Sequence, residues 1–149
     1  MEQSKYGDDF SVGDVYTTAS ITVTETHLVN WAGLTMDFYP LHMDKEYAAK
    51  TEFGERLAHG PLIFGMAVGL VSMAGFGGDA AIAWLGVDNM KMLAPVKIGD
   101  TVRVIVEVTE KQKTSKPGKG VQTWRYTVKN QRDEVVMVFD YKMMFHLRV

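Results

Sequence analysis

The sequence predicts an α+β domain, in which an antiparallel sheet packs on one buried helix. Three observations carry this expectation. The chain has 149 residues, enough for one core and too few for two sizeable ones. One apolar stretch, Leu57 to Gly78, runs 22 residues without Lys, Arg, Asp or Glu. After it come long β-rich segments divided by turn residues. Helices early and antiparallel strands late give α+β. No linker, repeat or low-complexity segment interrupts residues 1–149, so the chain reads as a single domain.

Each element has a local reason. Gly13-Asp14 is a turn leading into the β-rich Val15–Thr18 and then Ile21–Val23. Thr24 or Thr26 caps a short helix through His27, Leu28 and Trp31. Pro40 biases Tyr39 away from helix, so Asp37 to His42 is expected to be irregular. Asp44 caps a second short helix, Lys45 to Lys50. Thr51 to Ala58 is a loop containing Gly54. Pro61 suits the first turn of the apolar helix, and the cluster Gly75-Phe76-Gly77-Gly78 ends it. Ala81 to Leu93 reads as a strand broken near Asp88-Asn89. Pro95 to Asp100 is a turn. Thr101 to Glu110 alternates, with Val102, Val104, Val106 and Val108 on one face. Lys111 to Gly120 is a hairpin loop. Val121 to Lys129 alternates again, with Trp124, Tyr126 and Val128 inward. Gln131 to Glu134 turns the chain into a last strand, Val135 to Leu147. Trp31, Trp84 and Trp124 are all expected to pack inside.

The composition excludes several classes. Sixteen basic against eighteen acidic residues leave a net charge of −2, so no basic face is available for nucleic acid. There is no cysteine, hence no disulfide scaffold, thiol nucleophile or thiolate metal site. This composition fits the cytoplasm. Met1 to Phe10 is polar and of mixed charge, unlike a signal peptide. Leu57 to Gly78 has the length of a membrane span. His59, Pro61 and six glycines argue against one, and the strands need something to pack on. A helix apolar all round is then a core helix.

Two features carry chemistry. Asp37 and His42 flank Pro40, which stiffens the segment between them. A carboxylate and an imidazole held side by side can share a water, one accepting a proton while the other returns one. His59-Gly60-Pro61 opens the apolar helix. Backbone N–H groups there lack intrahelical partners, the helix dipole adds partial positive charge, and Gly60 permits close approach. That combination suits a carbonyl oxygen gaining negative charge. Taken singly, each has a plainer reading, as a turn cap beside a surface histidine and as an ordinary helix start. Asp37, His42, Asp44 and His59 match no metal-ligand spacing. Lys111, Lys113, Lys116 and Lys119 suit a solvated hairpin tip better than a phosphate site.

The residues Trp31 to Asp44, followed by Ala48, Phe53-Gly54 and Ala58-His59-Gly60, resemble the hydratase motif of the MaoC-like dehydratases, the (R)-specific enoyl-CoA hydratases. Met92-Leu93-Ala94-Pro95-Val96 with Gly99-Asp100 is similar to that family's following strand and turn. The resemblance spans about Phe10 to Phe145. It implies a hot-dog fold, a sheet wrapped round one long helix. It implies a homodimer or higher homo-oligomer, with the acyl chain in a tunnel near the interface. It also implies reversible addition of water to a trans-2-enoyl thioester of coenzyme A or acyl carrier protein, giving the (R)-3-hydroxyacyl thioester. On this resemblance Asp37 and His42 are catalytic and the Gly60 N–H holds the thioester oxygen. Tyr39, His59 and Pro61 meet the substrate. No metal or redox cofactor is required.

Two positions depart from the family pattern. Met36 stands where glycine is frequent, and Tyr39 where asparagine is. Both catalytic side chains remain, so Tyr39 bears on the acyl group accepted. Two other readings follow from the same residues. A hot-dog thioesterase usually carries a carboxylate on or near the central helix, but no Asp or Glu lies between Glu55 and Asp79. A non-catalytic acyl-thioester-binding subunit is the other.

Overall fold

A computed structural model describes residues 6–149. The reading of Met1 to Phe10 therefore falls partly outside the described residues. Six strands form one sheet: β1 (Val15–Thr17), β2 (Ile21–Thr22), β3 (Ala81–Met92), β4 (Thr101–Lys113), β5 (Lys119–Lys129) and β6 (Val135–His146). Their order is β1-β4-β5-β6-β3, with β2 also paired to β4, and all pairs are antiparallel. The helices are α1 (Glu25–Thr35), α2 (Pro40–Met43), α3 (Lys45–Ala48) and α4 (Gly60–Ala74). The sheet wraps α4 in the hot-dog arrangement.

The core forms where α4 meets the inner face of the sheet. Leu62, Ile63, Ala67, Leu70 and Val71 are buried on the helix. Val104, Val106 and Val108 face them from β4, Trp124 and Tyr126 from β5, and Phe139 and Phe145 from β6. Register aligns these side chains, Val106 opposite Tyr126 and Tyr126 opposite Phe139. Each large apolar side chain so enclosed contributes about 1.5–3 kcal/mol. Phe10 closes one end against Trp124, ring centroids 4.9 Å apart. Trp31 packs on the helix at Gly65, where a Cβ would stand 3.4 Å from its ring, in ordinary contact. Gly75, at φ 71°, terminates α4 in the left-handed region. Among the described residues no helix is long and apolar enough to cross a membrane.

Several local expectations change. Asp37 to Tyr39 is irregular as expected, but Pro40 occupies the first turn of α2, where its missing N–H costs nothing, so Leu41 and His42 are helical. The hairpin loop is shorter than Lys111 to Gly120, because the ladder continues to Lys113 opposite Gly120. The break in β3 is a bulge rather than an end. Register shifts between Asp88 and Lys91, and Asn89 takes φ 52°. Trp84 is not core: it is 57% exposed, on a strand that has no partner on its outer side.

Candidate active site

The site is assembled from the segment linking α1 to α4. Met36 ends α1 at φ 67°, with its N–H donating to the Ala32 carbonyl at 2.8 Å. This left-handed turn swings Asp37 out of the helix direction. Glycine takes that conformation without strain, which is why it suits this position. The Asp37 carboxylate then accepts the Tyr39 N–H at 3.3 Å. Asp44 caps α3, accepting the N–H groups of Glu46 and Tyr47 at 2.9 and 3.0 Å.

His42 projects from α2. Its Nδ1 lies 2.7 Å from the Leu57 carbonyl oxygen. A carbonyl only accepts, so Nδ1 carries the proton and Nε2 keeps a lone pair. His59 is completely buried, and its Nε2 donates to the Asp37 carbonyl at 2.9 Å. The two imidazoles stack with centroids 4.0 Å apart and planes 29° apart. Burial lowers the His59 pKa, only partly opposed by its bond to the Asp37 backbone; His42 lowers it further. The ring is therefore neutral near pH 7, and its Nδ1 is a buried acceptor with no partner.

One Asp37 oxygen and one nitrogen from each imidazole lie within 4.8 Å of one another. A single water bridges such separations. The same distances suit ligands shared by one metal ion. Each histidine already spends one nitrogen on a backbone carbonyl. The other nitrogen of each ring, His42 Nε2 and His59 Nδ1, is left to accept a hydrogen bond or to ligate.

Gly60 is the first residue of α4, so its N–H lacks an intrahelical acceptor. Apart from its chain neighbours and its own helix backbone, nothing lies within 4 Å of where its Cβ would stand. Two clefts meet at this residue. One, of about 350 Å³, is lined by His42, Phe53, Leu57, Gly60, Met92 and Val96. The other, of about 430 Å³, is almost wholly apolar and includes Gly60, Pro61, Phe64, Trp84 and Met92. Thus a carboxylate beside two imidazoles, a helix N-terminus and an apolar cleft adjoin one another.

The MaoC like domain profile matches residues 9–130. The chain belongs to the MaoC-like dehydratase family. Protein MaoC of Klebsiella aerogenes is 36% identical over 137 residues, which cover 86% of this chain and 40% of that longer protein. An (R)-specific enoyl-CoA hydratase of Rhodospirillum rubrum is 38% identical over 104 residues, covering 70% of this chain and 69% of its own length. A solved Archaeoglobus structure, described as a monoamine oxidase regulatory protein, superposes with a TM-score of 0.91 at 37% identity. That match covers 97% of this chain and 95% of the other.

Within this MaoC-like frame, the structure brings Asp37, His42, His59 and Gly60 together. Tyr39 stands beside them, 53% exposed, its ring edge-on to His42 at 5.9 Å and to Tyr47 at 6.3 Å. Pro61 lines the apolar cleft. His59 is enclosed from solvent, where its ring holds the Asp37 backbone carbonyl and stacks on His42. Lys113 and Lys116 are exposed, as a solvated hairpin tip requires, and Lys111 departs from that expectation. Lys111 donates to the Phe10 carbonyl. The hairpin loop, residues 114–118, lies at the end of β4 remote from Thr101, whereas the site adjoins Val96. The Leu57 carbonyl escaped sequence reading, since a backbone acceptor fifteen residues from His42 leaves no side-chain signal.

Proposed function

We propose that this chain adds water to a trans-2-enoyl thioester, or removes it from the (R)-3-hydroxyacyl thioester, with coenzyme A or acyl carrier protein as carrier. The observation that carries the reading is the meeting of Asp37 and His42 with the open N-terminus of α4 at an apolar cleft. A water held between the Asp37 carboxylate and His42 Nε2 attacks C3. Nε2 is the basic nitrogen because the Leu57 carbonyl holds the proton on Nδ1. The Gly60 N–H and the helix dipole stabilise the enolate oxygen of the thioester. The dyad then returns a proton to C2. Every step uses groups of this chain and the water, with no change of oxidation state.

We also propose a homodimer acting in the cytoplasm. The unpaired edge of β3 exposes Trp84, Leu85, Met90 and Met92 beside the cleft. An exposed strand edge with apolar side chains favours a second chain as its cover. Sedimentation at micromolar concentration tests this, and a monomer would overturn it.

The activity test is loss of enoyl-thioester absorbance with crotonyl-CoA, with chiral analysis of the product. Hydration to the (R) product, abolished in a folded Asp37→Asn, supports the reading. Release of free thiol instead of hydration would replace it with a thioesterase.

A further inference from the structure

We infer that Asp37, His42 and His59 form a three-ligand site for a zinc-type divalent cation, and that the ion shuts off hydration while it is bound. The inhibition rests on the enoyl-thioester reading; the binding does not. One Asp37 oxygen and one nitrogen from each imidazole lie within 4.8 Å of one another. Three atoms so spaced leave a point within about 2.8 Å of each, whereas zinc bonds to nitrogen and carboxylate oxygen measure roughly 2.0–2.2 Å. A shift of under about 1 Å per side chain therefore completes the site.

The backbone prepares both imidazoles for this role. His42 Nδ1 lies 2.7 Å from the Leu57 carbonyl oxygen, and His59 Nε2 lies 2.9 Å from that of Asp37. Carbonyls only accept, so each ring holds its proton there and keeps a lone pair on its other nitrogen. Metal-bound histidines are held in the same way, the second nitrogen donating to a backbone carbonyl or a carboxylate. His59 Nδ1 points to a ligand independently. It belongs to a ring with no exposed surface and has no hydrogen-bond partner among the described residues. A buried polar atom left unpaired is destabilising, and a ligand that pairs it removes that penalty.

The three ligands differ in freedom. His59 is enclosed at the start of α4 and anchors the site. His42 is half-buried on the four-residue α2, and Asp37 lies in the irregular segment before it. These two move to the ion. The imidazole stack, with centroids 4.0 Å apart, opens as both nitrogens turn to one tetrahedral centre. Two neutral imidazoles with one carboxylate select zinc, cobalt or nickel over magnesium and calcium, which take oxygen ligands. Three protein ligands leave a fourth position for water. Inhibition follows from the same bonds. The ion takes the His42 Nε2 lone pair and the Asp37 carboxylate, so neither accepts a proton from an attacking water.

The test titrates the full chain, without an affinity tag and freed of metal by a chelator, with zinc chloride in a calorimeter. Magnesium chloride is the control ion, and circular dichroism follows folding. One zinc per chain is expected at micromolar affinity, with no binding of magnesium. His42→Ala, His59→Gln and Asp37→Asn should each weaken zinc binding by about tenfold or more. His146→Ala, at the exposed end of β6, should leave it unchanged. Cobalt(II) in place of zinc should give the visible absorption of a four-coordinate ion, lost in His59→Gln. With crotonyl-CoA, saturating zinc should lower kcat by about tenfold or more, and EDTA should restore it. Zinc affinity unchanged in the folded ligand variants, or hydration undiminished or accelerated by saturating zinc, would overturn the inference. A wild type that hydrates nothing removes the hydration reading, and the zinc affinities of the variants then decide the metal site alone.

Discussion

The sheet β4-β5-β6 and the segment Met36 to Gly60 hold their shapes by different means. In the sheet, unbroken stretches of ladder run through residues whose inner faces interlock, Tyr126 lying 4.9 Å from Phe139 and Trp124 5.4 Å from Phe145. The segment has only two short helices and a handful of bonds from side chains to backbone. His42 grips Leu57, His59 grips Asp37, and Asp44 caps α3. Shape in the sheet is shared among many contacts. In the segment it is concentrated in a few polar ones, so single changes should alter reactive geometry before they unfold the protein.

The largest expected effect lies in the sheet. Trp124→Ala should lose about 3–5 kcal/mol of stability, because a fully buried indole leaves a cavity behind. Urea denaturation measures it, and a loss below 1 kcal/mol would break the contrast. Next come Asp37→Asn and His42→Ala, each expected to lower kcat by about 10²-fold or more, some 2.7 kcal/mol of barrier, while remaining folded. Near-normal turnover by both would remove the dyad.

His59 sharpens the contrast further, as a positioning residue. His59→Gln keeps a donor for the Asp37 carbonyl but loses the stack on His42. Turnover should fall by about tenfold with KM little changed. A rise in KM alone would instead indicate substrate contact. Met36 tests strain within the segment. Met36→Gly should stabilise the protein by about 1 kcal/mol, because the φ of 67° suits glycine and the side chain is largely exposed. Denaturation with an unchanged or lowered midpoint would contradict this.

The smallest effect is on pH dependence. Burial keeps His59 neutral below the usual histidine range. As pH falls through 6.5, the unfolded chain takes up a proton that the folded one resists. The stability that His59 contributes is therefore present above pH 6.5 and lost below it. Denaturation midpoints should fall more steeply between pH 7 and 5 in the wild type than in His59→Gln. Equal slopes would show that the ring is not held neutral.

Much of the molecule was legible in the chain. The valines of β4 and the inward Trp124 and Tyr126 announce themselves by alternation, and Asp44 caps α3 as its residue type suggests. The spacing from Asp37 to His42 and on to His59-Gly60 marks the site, because its local turns are short. Pro40 misleads in one direction only: it forbids helix before itself and begins one at its own position. Trp84 misleads because apolarity signals burial equally whether its cover comes from the same chain or from another. The bond from His59 to Asp37 has no sequence signature, since it ends on a backbone carbonyl.

Composition and periodicity by themselves determined the α+β class and the buried helix, because these depend on residue type and local repeat, and the family resemblance singled out Asp37 and His42. Only the tertiary structure decided the proton on His42 Nδ1, the neutral imidazole stacked on it and the packing of Phe64 against Phe139 and Trp84. Each of these arises where residues remote in the chain meet, and their chemistry follows from the distance and burial of that meeting rather than from the residues taken singly.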